Sequence, residues 1–250
     1  MTKDPQNSYL KLRGIHKNEK ACFVLAAGPS LFFDSRNKNF DKIFDHVVIF
    51  VNSSIMLMPK EKKGDKFYFC STDSLCRRWS WWDKVLFLQV NKIVRSSWYK
   101  YREELPGFLY FKARSTPESI IEKEDDGLCY ACSTAASIDL GLALGIHRIF
   151  VLGLDHYRLK GNGHFWDFFP SKIQKSSQTL QKPVQRLPAQ PRYDIYKKHF
   201  KAHMRHYKAL EGYSKTIGSR IYNCNLKSRV ETFEKITFDD IFDIFDILEK

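Results

Sequence analysis

Short apolar runs recur along the chain at Ala21–Ala26, His46–Val51, Lys66–Cys70, Lys84–Val90, Phe108–Ala113, Arg148–Leu154 and Arg220–Cys224, each bounded by polar or turn-forming residues. Several are apolar at consecutive positions, the pattern of strands buried on both faces. Helical spacing intervenes. Tyr130–Leu144 is rich in small residues and reads as a helix ending at Gly145, while Asp194–Ile217 reads as a long helix stopped by Gly218. Thr237–Leu248, with Thr237 as cap and Ile241, Phe242, Ile244 and Phe245 on one face, predicts a closing helix. Strands alternating with helices predict an α/β fold, a doubly wound, mostly parallel sheet in one domain over 19–250 behind an N-terminal extension, 1–18. The stretch 160–191 is broken by Gly161, Gly163, Pro170, Pro183, Pro188 and Pro191 and predicts a long loop or lid.

Composition narrows the function classes. At 250 residues the chain suits one large domain, and its aromatic content argues against disorder. Nothing approaches the ~20 continuous apolar residues of a membrane helix, and Met1–Pro5 leads into polar residues, so a cytoplasmic protein is expected. Lys and Arg outnumber Asp and Glu by 41 to 28, a net charge of +13 that suits polyanions: nucleic acid, an anionic membrane surface met peripherally, or phosphorylated sugars. Arg77-Arg78-Trp79 and Trp81-Trp82, with Trp98–Arg102, interleave bases and aromatics, which admits stacking on nucleic acid or packing inside the fold. Cys22, Cys70 and Cys224 fall inside expected strands as small buried residues, and Cys129-Tyr-Ala-Cys132 has no second pair at zinc spacing.

The chemistry gathers where strands end. Cys22–Ala26 runs into Ala27-Gly28-Pro29-Ser30, a turn whose glycine lets the backbone approach a ligand and whose serine can donate to phosphate. Asn52 and Asp73 each follow a strand, on the rim where doubly wound sheets bind ligands, and Ser133 opens a helix.

In this order the motifs resemble the single-domain, Rossmann-like bacterial sialyltransferases, and also the motility-associated and pterin-pyrophosphokinase-like proteins of the same broad group. Ala26-Ala-Gly-Pro-Ser-Leu31 is similar to the family's Gly-Asn-Gly-Pro-Ser-Leu, Val51-Asn-Ser-Ser54 to its Cys-Asn turn, and Phe69-Cys-Ser-Thr-Asp-Ser-Leu75 to its Tyr-Asn-Pro-Ser-Leu. Leu142-Ala-Leu-Gly145 and Ile149–Tyr157 are close to its Ala-Leu-Gly and Gly-Ile-Asp-Phe-Tyr. The resemblance implies a glycosyltransferase using a CMP-linked sugar, with Gly28, Ser30, Asn52, Asp73, Ser133, Thr134 and Asp155 holding the donor and Tyr157 steadying its leaving phosphate. It needs no metal or other cofactor. Two residues depart from the pattern: Ala27 replaces an asparagine, and Lys201 stands where the family has its catalytic histidine. His203 and His199, beside Lys201, are the expected bases, since imidazole accepts a hydroxyl proton near neutral pH. His164, in Asn162-Gly-His164-Phe-Trp-Asp167, is an expected acceptor contact. Two alternatives stay open. One is a pterin-type pyrophosphokinase with Mg²⁺ on Asp73 and Asp155; the other is a non-catalytic nucleotide- or nucleic-acid-binding module.

Overall fold

The computed structural model describes residues 7–79, 81–101, 105–114, 127–129, 131–157, 164–168 and 192–247. Its centre is an eight-stranded sheet in the order β10-β9-β8-β1-β2-β3-β4-β5, all pairings parallel among the described strands. These are β1 (Cys22–Leu25), β2 (Val47–Val51), β3 (Phe67–Ser71), β4 (Asn91–Arg95), β5 (Phe108–Phe111), β8 (Arg148–Leu152), β9 (Arg220–Asn223) and β10 (Glu234–Lys235), while β6 (Ala113–Arg114) and β7 (Leu128–Cys129) form a small parallel pair apart. Strand order reverses between β1 and β8. In doubly wound sheets that reversal opens the crevice where ligands bind, which makes this an α/β Rossmann-like fold with its rim at the carboxyl ends of β1 and β8.

The central strands are buried on both faces because their alternate residues enter two different cores. Cys22, Val24, Ile49 and Val151 point into one and Phe23, Leu25, Phe50 and Phe150 into the other. The first core is covered by α3 (Ser133–Ala143) and α4 (Arg192–Thr216). Here small residues matter: a Cβ on Gly141 would come within 2.8 Å of Ile149 and 3.3 Å of Cys22, so α3 lies hard against the sheet. The second core is phenylalanine-rich, with Phe23 stacked on Phe150 at 5.4 Å and Phe150 on Tyr222 at 5.1 Å, and it is covered by α1 (Ser30–Asp34), α2 (Trp82–Phe87) and α5 (Asp240–Ile247). The cap of α5 is reciprocal: Asp240 N–H donates to Thr237 Oγ1 and Thr237 N–H to the Asp240 carboxylate.

One expectation changes. Lys84–Val90 is not a strand; α2 occupies its first half and the strand is displaced to Asn91–Arg95. The helix buries Trp82 and Val85, three apart, while Phe87 is left exposed. Residues 7–18 are stitched to the sheet. Ser8 Oγ accepts from Tyr110 N–H on β5, His16 Nε2 bonds the Tyr68 hydroxyl at 2.7 Å, and Tyr9 and Leu12 are buried. Trp81, Trp82 and Trp98 are core residues, Trp82 packing against Trp98 and Phe108, so they offer no stacking platform for nucleic acid. All six cysteines are free. Among the described residues no helix is long and apolar enough to cross a membrane. The expected lid, 160–191, lies outside the described residues except for 164–168.

Candidate functional site

The turn after β1 is tied to the loop after β8. Gly28 N–H donates to Gly153 O at 2.9 Å, and the Asp155 carboxylate accepts both the Ser30 main-chain N–H, at 2.7 Å, and the Ser30 hydroxyl, at 2.6 Å. Asn225, just beyond β9, donates to the same carboxylate at 2.6 Å and reaches the Tyr157 hydroxyl at 3.3 Å. Asp155 is 2% exposed; burial pushes its carboxyl up, against the pull of these hydrogen bonds. Glycine at 28 answers to this closure, since a Cβ there would lie 2.4 Å from Gly153 O and 2.6 Å from the Asp155 carboxylate. The donors at Gly28 and Ser30 expected to face a phosphate are therefore spent on the chain's own carbonyl and carboxylate. Below the turn, Asp34 on α1 carries a buried Oδ2 without a partner, and burial with the nearby charges of Asp155 and Asp239 pushes its carboxyl up to about 8.

The turn after β2 is built differently. Asn52 adopts φ 53°, a left-handed conformation that costs energy in any residue but glycine, although asparagine tolerates it better than most. Ser54 enforces it, its hydroxyl accepting from Val51 N–H and donating to Leu25 O. The result leaves Asn52 Oδ1 and Ser53 Oγ buried without hydrogen-bond partners. A buried acceptor without a donor is unfavourable unless a ligand supplies one.

After β3, Asp73 is exposed and caps the following 3-10 turn by accepting Leu75 N–H at 2.9 Å. Ser133 Oγ binds Thr72 through both its N–H and its hydroxyl, at 3.0 and 2.9 Å, locking the start of α3 to the rim. Thr134 is half-buried beside it. The cap of α3 is the Cys132 thiol, which accepts from Ala135 N–H and lies 3.3 Å from the Tyr207 hydroxyl.

Histidines converge from α4 and the β8 loop. His199 and His203 are one turn apart with ring centroids 6.3 Å from each other, and His203 lies 5.5 Å from His156. His156 also takes a left-handed conformation, φ 53°, and its Nε2 is 3.4 Å from the Tyr207 hydroxyl. Burial and the neighbouring His203 hold its pKa down to about 4. His203 is held down by burial and by His199 and His206, while a hydrogen bond to the Ala131 main chain works the other way. His203 Nδ1 is buried and has no partner. Both rings stay neutral at physiological pH, and His203 keeps a lone pair unused by the chain. Sequence reasoning missed His156, Tyr207, Cys132 and Asn225. The available signal was spacing: His199, His203 and Tyr207 fall four apart on a single face of α4.

His164 is exposed and directly precedes the 3-10 turn Phe165–Phe168. Phe165 N–H bonds Ala27 O, and Phe168 stacks on Phe32 at 5.3 Å, so this turn is pinned over α1 by aromatics. Of the two carboxylates that the pyrophosphokinase alternative assigns to Mg²⁺, Asp155 fits poorly, with both oxygens engaged inside the chain. Asp73 uses one oxygen to cap its turn, and no cluster of three metal-binding side chains occurs among the described residues.

No protein-family model matches the sequence, and no curated protein is significantly similar to it. Among solved structures the chain is similar to the MAf glycosyltransferase from Magnetospirillum magneticum AMB-1, with TM-score 0.50 and 12% identity over 98% of this chain. The chain spans 41% of that protein's length, and the likeness shows a shared fold. The sialyltransferase CstII from Campylobacter jejuni, solved with cytidine-5'-monophosphate, gives TM-score 0.46 and 15% identity over 87% of this chain and 85% of its own. Cst-I, a monofunctional alpha-2,3-sialyltransferase from the same organism, gives 0.45 and 14% over 88% and 81%.

Proposed function

We propose that this chain is a glycosyltransferase that binds a nucleotide-linked sugar, CMP-linked as the motif resemblance implies, along the carboxyl ends of β1, β2, β3 and β8. The observation that carries the reading is Asn52: a left-handed residue at the rim whose buried amide oxygen has no donor. Its free atom is an acceptor, so it suits an amine or hydroxyl of the nucleoside and not a phosphate oxygen. Cytosine carries such an amine where uracil carries a carbonyl. Because Asp155 takes the Ser30 donors, this reading puts the donor phosphate farther out, against the Tyr157 hydroxyl and the start of α3 near Ser133 and Thr134. The acceptor oxygen attacks the anomeric carbon as the bond from that carbon to the phosphate oxygen breaks, inverting the centre. His203 takes the hydroxyl proton on its free Nδ1, with His199 as the neighbouring ring.

A thermal-unfolding screen of CMP, UMP, GDP and ATP, each with and without Mg²⁺, tests the donor. A ligand that binds only the native state raises the transition by its binding linkage. CMP is expected to stabilise most and without Mg²⁺. Stabilisation by ATP with Mg²⁺ alone, or an equal response to all four nucleotides, overturns the reading.

A further inference from the structure

The helices α3 and α4 have a second shared region, away from the rim along α3. Asp139 and Leu142 of α3 lie six and nine residues beyond Ser133, roughly 9 and 13 Å along the helix axis. With Tyr213 of α4, Tyr9, Arg13 and Arg114 they line a cavity of about 310 Å³. That volume stands at the lower end of small-molecule sites.

The lining is charged and unevenly satisfied. Arg114, on β6, is 6% exposed, and its Nε is buried without a hydrogen-bond partner. A buried guanidinium N–H without an acceptor is unfavourable. Asp139 does not supply that acceptor to Nε; one of its oxygens takes Cys129 N–H at 2.6 Å. Tyr9 donates its hydroxyl hydrogen to Gly127 O at 3.1 Å, and Arg13, an exposed residue, hydrogen-bonds the Tyr9 side chain. Among the described residues, two guanidinium groups, of Arg13 and Arg114, line this cavity together with the carboxylate of Asp139. Nothing in the rim chemistry uses any of these groups.

We propose that this cavity is a second binding site, for the oxyanion of a small molecule about as large as a phosphorylated monosaccharide, with Arg114 as the buried anchor and Arg13 as the accessible partner. Guanidinium forks match phosphate and carboxylate oxygens alike, so the shared chemistry is a tetrahedral or planar oxyanion. The site is independent of the nucleotide reading and stands or falls without it.

Inorganic phosphate and succinate are titrated into the full chain at ionic strength held constant with NaCl, and binding is read by calorimetry. Saturable binding of at least one probe is expected, and the stronger of the two assigns the site to phosphates or to carboxylates. Arg114→Gln should weaken that binding about tenfold or more, Arg13→Gln about threefold, and Asn52→Ala not at all. Binding of neither probe beyond the NaCl control, or unchanged affinity in Arg114→Gln, overturns the proposal. Should Arg114→Gln fail to fold, the exposed Arg13→Gln decides, unchanged affinity there having the same force.

Discussion

The turns after β1 and β2 stand on neighbouring strands at one rim, and they dispose of their polar groups in opposite ways. After β1 each expected donor has a partner within the chain: Gly28 N–H on Gly153 O, and the Ser30 N–H and hydroxyl on the Asp155 carboxylate, which also accepts from the Asn225 amide. After β2 the backbone is held left-handed, and two buried oxygens, on Asn52 and Ser53, are left without donors. The motif with the stronger look of a phosphate cradle is thus an internal brace, with an aspartate seated where an anion was expected. The less conspicuous turn keeps the unsatisfied atoms that a ligand would complete. On α4, His203 Nδ1 and His206 Nε2 are likewise buried without partners, while each ring also bonds the main chain, at Ala131 and Ala202.

The largest effect that this contrast predicts is on turnover. His203→Ala should lower sugar transfer by about 10²–10⁴-fold while leaving CMP affinity within about twofold. His199→Ala, at an exposed ring, should cost about tenfold or less. Transfer and donor hydrolysis measured across pH separate the two, and full activity in the His203 variant removes it from the chemistry.

Next comes the brace. Asp155→Ala leaves the Ser30 N–H, the Ser30 hydroxyl and the Asn225 amide short of an acceptor in a buried place, and should destabilise the fold by about 2–4 kcal/mol. Asp155→Asn, which keeps the shape and one oxygen, should cost about half as much. Denaturant unfolding reads both. A loss of CMP affinity in Asp155→Asn with unchanged stability would instead place that carboxylate among the ligand contacts.

The fold was legible because its signal is collective. Strands buried on both faces leave consecutive apolar runs, and β1, β2, β3, β8 and β9 lie within a residue or two of where those runs fall. The failures are local. At Lys84–Val90 the apolar content reads as a strand, but four of these residues lie in α2 and the strand begins only at Asn91; apolar content alone does not distinguish the two periods. The site was legible as positions and not as roles. Ser30 and Asp155 are 125 residues apart, and only the alignment of β1 beside β8 reveals that one satisfies the other. His156 escaped notice because a lone histidine after a strand carries no pattern until α4 packs against it.

The third prediction concerns the histidine cluster and pH. An unfolded histidine takes a proton below about 6.5, whereas His156 in the fold does so only near 4. Between those values the unfolded chain binds more protons, so stability falls as pH drops through that window. The loss attributable to His156 is about 2–3 kcal/mol at pH 4, and His203, also held down, adds to it in the same direction. His156→Asn keeps a side chain tolerant of the left-handed backbone and removes the titration, so its stability should vary less between pH 6.5 and 4. An unchanged slope in that variant would show that His156 is solvated and not part of the buried cluster.

The smallest effect on the fold, and the sharpest test of the contrast, comes from Asn52→Gly. Glycine adopts positive φ without strain, so the substitution relieves the backbone at this turn while removing the amide. Relief of strain, loss of an unsatisfied buried oxygen and the greater freedom of glycine in the unfolded chain oppose one another, leaving stability within about 1 kcal/mol of the parent. If that oxygen serves a ligand, CMP affinity falls about five- to thirtyfold, or ~1–2 kcal/mol. Comparison with Asn52→Ala separates backbone from side chain: alanine loses the same amide but retains the strain, so it should match glycine in affinity and fall below it in stability. Equal CMP affinity in Asn52→Gly and the parent would put the turn after β2 in the same class as the turn after β1, a structural element whose loose oxygen has no ligand to meet.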